Sequence, residues 1–134
     1  MPETEKQRIG RIGEDTACRF LSNKGFSVIE RNYRKKWGEI DIVASKKKRI
    51  HFVEVKTVTR EKGSSGPFPY KAGDFYRPED NVHPWKLKRL ARAIQTYLLD
   101  RRLDDREWQL DVVVIFLDEK SSEARIRLIE NIVL

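Results

Sequence analysis

Two amphipathic helical runs and five strand-like runs in a chain of 134 residues predict an α/β sandwich, a mixed five-stranded sheet flanked by helices. Three observations carry that expectation. Apolar residues recur at helical spacing in two stretches, and elsewhere they alternate at the period of two that a strand needs. The order along the chain is helix, three strands, helix, two strands. One strand, WQLDVVVIFL, is almost continuously apolar from Val112, as a central strand covered on both faces should be.

The first helix is expected from about Glu5 to Asn23. Ile9, Ile12, Phe20 and Leu21 fall on one side of it, and Gly25 stops it in the manner of a C-cap. At 100° per residue Glu14 lies near Leu21 on the rim of the apolar stripe. It is either a helix-surface glutamate or a carboxylate delivered to the sheet. Residues 26–32 form the first strand and run into a basic stretch of Arg31, Arg34, Lys35 and Lys36 around Tyr33. A hairpin occupies 37–57. Residues 58–84 are rich in Gly, Pro and Ser with no sustained period, so a long flexible loop is expected there. That loop interleaves Phe68, Tyr70, Phe75 and Tyr76 with Arg60, Lys62, Lys71 and Arg77, a pattern able to stack on bases and bind phosphates, or to pin the loop to the body. The second helix, about 84–102, starts at a proline suited to a first turn. Its stripe is Leu87, Leu90, Ala91, Ile94, Tyr97 and Leu98, and Lys86, Lys88, Arg89 and Arg92 line its other faces. Strands at 108–117 and 124–130 complete one domain over residues 1–134, with no internal repeat.

Charged residues make up 37% of the chain, well above the usual quarter, and the formal net charge is +7. An excess of that size suits a phosphate-backbone partner, with an anionic lipid surface as the competitor. No apolar stretch approaches a membrane span, the N-terminal residues lack a signal-peptide core, and the basic residues are spread over several elements, which favours nucleic acid. A lone cysteine, Cys18, fits a packing residue in a reducing, cytoplasmic setting. His51 and His83 have no metal-ligand spacing and receive no role.

The hairpin carries the chemistry. In WGEIDIVASKKKRIHFVEVKT, Glu39 and Asp41 alternate with Ile40 and Ile42, and Glu54 and Lys56 alternate with Val53 and Val55. With Lys47 and Lys48 at the tip, Asp41 faces Glu54 and Glu39 faces Lys56. Directly opposed residues have Cβ atoms roughly 5 Å apart and point the same way, so three carboxylates and a lysine should converge. Crowded carboxylates repel, and a hard divalent cation relieves them; Mg²⁺ is typically held by one or two carboxylates plus water and phosphate oxygens. The alternative is a solvated outer face with Glu39 and Lys56 as a cross-strand ion pair.

Taken together, GEDTACRFLSNKGF, ERNYR, GEIDIV, FVEVKT, VHPWKLKRLARAIQTYL and LDVVVI resemble the bacterial YraN family of predicted endonucleases. That family lies within the PD-(D/E)xK nuclease superfamily and is distantly similar to archaeal Holliday junction resolvases. The resemblance spans nearly the whole chain and implies a restriction-endonuclease-like sandwich. It implies a Mg²⁺- or Mn²⁺-dependent hydrolase of DNA phosphodiester bonds, acting on plain, branched or junction structures. Asp41, Glu54 and Glu14 match the family's acidic metal-site positions, the Val55 carbonyl a backbone ligand, and Lys56 the catalytic lysine. Glu39 belongs to the GEID signature, and Lys86 matches the basic residue at the start of the second helix. Arg34, Lys35, Lys36, Lys71, Arg77, Lys86 and Arg89 are the candidate DNA contacts. The stretch 59–81 is longer and more aromatic than the family pattern. Two other classes stay open: a nucleic-acid-binding module that keeps the fold without turnover, and a protein-interaction adaptor. The adaptor could be a dimer through Ile132, Val133 and Leu134; a twofold dimer would also suit symmetric cutting of a junction.

Overall fold

The computed structural model describes residues 2–60, 84–118 and 120–133. Its elements are α1 (Glu5–Asn23), β1 (Ser27–Lys35), β2 (Gly38–Lys46), β3 (Arg49–Thr59), α2 (Pro84–Asp100), β4 (Trp108–Asp118) and β5 (Glu123–Ile129). The sheet order is β1-β2-β3-β4-β5. Only β3 and β4 are parallel, joined across the α2 connection, and the other neighbours are antiparallel. The mixed five-stranded α/β sandwich is therefore as expected.

Helix α1 begins with a capping box. The Thr4 hydroxyl accepts from Gln7 N–H at 3.1 Å and the Gln7 side chain accepts from Thr4 N–H at 3.0 Å. It ends in a Schellman arrangement: Phe26 N–H bonds the Leu21 carbonyl, Gly25 N–H bonds that of Ser22, and Gly25 takes φ 91°. The turn between β2 and β3 is equally specific. Lys46 pairs with Arg49, and Lys47 (φ 50°) and Lys48 (φ 67°) are both left-handed, as a two-residue type I′ turn requires.

The helices cover opposite faces. On one, α1 lays Ala17 and Leu21 on Phe26, Ile42, Ala44, Val53, Val113 and Ile115. On the other, Leu90, Ala93, Ile94, Tyr97 and Leu98 of α2 meet Tyr33, Ile40, Val43, Ile50, Phe52 and Leu110. Tyr97 packs edge-on against Tyr33 (5.1 Å) and Phe52 (5.6 Å). The seat of α1 differs from the expected stripe. Of Ile9, Ile12, Phe20 and Leu21 only Leu21 is buried, and the contact line is Gly13, Ala17 and Leu21. Small residues hold it because the helix comes so close to β3: a Cβ on Gly13 would lie 1.9 Å from Thr57 Oγ1.

Boundaries shift modestly. β1 continues beyond Asn32 to Lys35 and absorbs the basic stretch, β3 runs to Thr59, and α2 stops at Asp100. Lys62, Phe68, Tyr70, Lys71, Phe75, Tyr76, Arg77, His83 and Leu134 lie outside the described residues. Among the described residues no helix is long and apolar enough to cross a membrane.

Gly38 sets the approach of α2 to β2. A Cβ there would sit 2.4 Å from the Arg89 carbonyl oxygen, which is backbone and cannot swing away. Gly38→Ala should therefore lower stability by about 1–3 kcal/mol in urea unfolding, as overpacking does. An unchanged midpoint would show that the helix is not seated this closely.

Candidate active site at the fork of the sheet

The β2–β3 ladder holds the expected register from Lys46↔Arg49 to Ile42↔Val53, and there it ends. Beyond that point each strand follows its outer neighbour. β2 stays with β1 as far as Lys35↔Gly38, while β3 stays with β4 as far as Thr59↔Leu117. The sheet forks. Asp41 stands in the opening and bridges it with its side chain: Oδ2 accepts from Val55 N–H at 2.8 Å. In an extended chain the N–H and C=O of one residue point to the same edge, so the Val55 carbonyl is turned toward β2 as well.

The fork changes the expected convergence. Asp41 and Glu54 are not paired in the backbone ladder, and neither are Glu39 and Lys56. Glu39 is instead opposite Arg34 of β1, with Arg34 Nε 3.4 Å from its carboxylate, and Lys56 runs alongside Val114. The period of two also fails at Asp41. Ile40 and Val43 share the α2 face, whereas Ile42 and Ala44 face α1. Across from that break Asn32 of β1 is left-handed (φ 54°), a conformation asparagine tolerates better than most residues. The carboxylates thus meet through a gap between strands and not on one flat face.

Even so, the residues are neighbours. One cleft of about 740 Å³ is lined by Glu14, Glu39, Asp41, Glu54, Val55 and Lys56, together with Arg31, Asn32, Arg34 and Lys86. Glu14 is mostly buried and held: Asn32 Nδ2 donates to its Oε1 at 2.8 Å and Arg31 Nε at 3.0 Å, while Arg31 also grips Asp15 at 2.7 Å. Glu54 is about as sheltered, and Lys86 Nζ approaches its Oε1 at 3.2 Å. Lys56 is exposed and, among the described residues, makes no ion pair. Arg31 and Asn32 stand in the ERNYR segment, which gave them no part in the metal site. Their roles appear only when β1 is placed beside α1.

Asp41 is electrostatically costly. Burial first, then the charge of Glu54, raise its carboxyl from an ordinary 3.8 to about 8, with Glu14 and Glu39 adding smaller pushes. The Val55 N–H bond opposes them and is outweighed. A divalent cation suits such a place, because it reverses the sign of the local field. Among the described residues no three His, Cys, Asp or Glu side chains close into a cage of their own. That accords with an ion that keeps water and takes substrate phosphate oxygens as well as one or two carboxylates. The bonds above leave Asp41 Oδ1, Glu54 Oε2 and Glu14 Oε2 for that purpose.

Of the candidate phosphate contacts, Arg34 and Lys86 line this cleft. Lys35, Lys86 and Arg89 line an adjoining hollow by α2, Lys36 is exposed outside both, and Lys71 and Arg77 fall outside the described residues. His51 does have a structural role that its spacing did not suggest. Its Nδ1 lies 2.6 Å from Asp111 Oδ2, both are buried, and Asp111 Oδ1 accepts from Gln109 and from Asn131 N–H. This pins the chain after β5 against β4, level with Val53, the last ladder residue before the fork.

The model of the uncharacterised protein family UPF0102 matches residues 13–115. A UPF0102 protein of Desulforapulum autotrophicum is 37% identical over 131 residues, covering 96% of this chain and 95% of its own. Similar proteins from Alkaliphilus oremlandii (38% over 116 residues, 85% and 89% covered) and Helicobacter hepaticus (37% over 125 residues, 93% and 94%) carry the same family name. None of these names states an activity. The family resemblance expected from GEIDIV and FVEVKT therefore holds.

The folded chain binds the Asp41 proton more tightly than the unfolded chain, so folding takes up a proton between pH about 4 and about 8. The cost of this group is absent below the unfolded value, accumulates as pH rises, and is complete above pH about 8. Asp41→Asn keeps an acceptor for Val55 N–H and removes the titration. In EDTA, urea unfolding at pH 5 and pH 8.5 should show the variant losing less stability than the parent chain, by about 1 kcal/mol or more. Parallel losses would place the Asp41 carboxyl in an ordinary environment.

Proposed function

The chain belongs to the uncharacterised protein family UPF0102, and for this member we infer metal-assisted hydrolysis of DNA phosphodiester bonds at the fork of the sheet. One observation carries the reading: a chain of net charge +7 gathers four carboxylates around a break in its sheet, and one of them is raised to about 8 by burial and then by the charge of Glu54. Groups so perturbed in a cleft are candidates for chemistry, not for stability.

Asp41, Glu54 and Glu14, with the Val55 carbonyl, would hold Mg²⁺ or Mn²⁺. Such an ion, when bound, polarises a phosphoryl oxygen and lowers the pKa of a coordinated water. The chain's own residues do the remaining work. Arg31 and Asn32 fix Glu14, and the Val55 N–H fixes Asp41, so the carboxylates are in place before substrate arrives. Lys56 projects from the same strand face as Glu54 two residues on, and its ammonium is in position to contact the phosphate and orient the attacking water. Glu39 steadies Arg34 at the rim. Lys86 neutralises Glu54 in the resting chain and can turn to a phosphate instead. Arg34, Lys35, Lys36 and Arg89 would guide the DNA backbone past the cleft, joined in the proposed set by Lys71 and Arg77.

The test is cleavage of plain duplex, flapped and four-way DNA with Mn²⁺ or Mg²⁺. Asp41→Ala and Lys56→Ala should each slow cutting by about 100-fold or more, and EDTA should abolish it. Cleavage by both variants at the parental rate contradicts the assignment. Salt-dependent binding without product in any metal would leave a binding module in its place.

A further inference from the structure

The cleft at the fork has a wall that the hydrolytic reading leaves unused. It is the side of α1 before Glu14, where Lys6, Gln7, Gly10 and Arg11 line the same space of about 740 Å³ as Asp41 and Glu54. Lys6, Gly10 and Glu14 are four residues apart, so they stand in a row on one helical face, about 6 Å from each other along the axis. Glu14 marks the end of that row at the proposed metal site, and Lys6 the end in the first turn. Arg11 is committed to Glu3 through bonds of 2.9 and 3.1 Å. Lys6 is exposed and, among the described residues, makes no ion pair.

Gly10 is the member of this row that the fold does not explain. Inside a helix glycine is less stable than any residue but proline. Gly13, three residues on, has a packing reason, because a Cβ there would strike Thr57 Oγ1. At Gly10 a Cβ would meet no described atom within 4 Å. Its φ is not positive, and it stands in the second turn, past the capping box of Thr4 and Gln7. Neither backbone conformation nor capping calls for glycine there. The result is bare helix backbone, exposed to the cleft, between an unpaired ammonium and a carboxylate of the proposed metal site. Glycine is the residue that lets a ligand come close to a backbone.

We propose that Gly10 and Lys6 seat the sugar–phosphate backbone of the DNA strand leaving the fork. A deoxyribose packs on the bare helix at Gly10, and a neighbouring phosphate rests on Lys6. The inference rests on the hydrolytic reading and deepens it, naming two binding residues on α1 and the path of the strand. A nucleic-acid strand fits this wall better than a small ligand does. The cleft runs from Lys6 past the carboxylates to Lys86, so it offers a cation at each end for different phosphates of one strand. Contacts to sugar and phosphate carry no sequence information, so the seat fixes register and direction only.

Folding stability and DNA affinity should move in opposite directions, which a merely structural glycine cannot produce. Gly10→Ala should raise the melting temperature by about 1–5 °C, since alanine is the better helix former and its methyl has space. The same variant should weaken binding of a fluorescein-labelled flapped duplex in EDTA by about 5-fold or more, and Gly10→Leu should weaken it further. Lys6→Gln should make the salt dependence of log affinity shallower by about one unit. A melting temperature that fails to rise in Gly10→Ala returns the glycine to the fold and overturns the seat. So does parental affinity in both Gly10 variants, or a parental salt slope in Lys6→Gln. None of these three results touches the hydrolytic reading, which metal-dependent cleavage by the parent chain tests. Graded loss of affinity in a chain that cuts no DNA keeps the seat and rejects the hydrolytic reading alone. DNA binding too weak to measure with the parent chain rejects both.

Discussion

The hydrogen bond from Val55 N–H to Asp41 Oδ2 is the constraint on which the site depends. Where two strands part, backbone donors along the gap lose their partners and must find others. Here a carboxylate fills the vacancy at the first position beyond the ladder. The same act places that carboxylate between the layers of the sandwich, within reach of Glu54, Glu14 and Glu39. Sheet geometry and site electrostatics are therefore one problem. The fork cannot close without expelling Asp41, and Asp41 cannot leave without orphaning Val55.

Both helices are held close enough to serve the fork by residues without bulk. Gly13 lets α1 rest on Thr57, which sets Glu14 at the opening, and Gly38 lets α2 rest on β2, which sets Lys86 across from Glu54. Arg31 and Asn32 add a second tier. They emerge from β1 at its own irregularity and hold Glu14 through its Oε1, leaving the other oxygen out of the network. Repulsion among the carboxylates is a stability cost the chain carries at this point, as functional sites commonly do. It is offset elsewhere, as in the packed Tyr33, Phe52 and Tyr97 cluster.

Much of this was legible in the sequence, for physical reasons that differ by element. α1 was marked at its end by Gly25, whose φ of 91° favours glycine. The β2–β3 register followed from the tip because a two-residue turn permits little else, and β4 from its continuous apolar run. The face shared by the carboxylates was misjudged. Alternation is a local rule, and the fork at Asp41 shows only when β2 is set beside β1 and β3 beside β4, which no window of residues records. The end of α2 gave no signal, since Arg102 takes a left-handed position (φ 55°) that glycine or asparagine usually announces.

The hydrolytic reading requires that the Asp41 carboxyl, kept protonated near neutral pH by burial and by the charge of Glu54, gives up its proton to a divalent cation. Isothermal titration of the chain with Mn²⁺ at pH 7, in two buffers of different ionisation enthalpy, measures that proton directly. The predicted result is release of about one proton per ion at pH 7, falling toward zero near pH 9.5, with binding strongly weakened in Asp41→Asn. Mn²⁺ binding with no proton release at pH 7, or undiminished in Asp41→Asn, would contradict it.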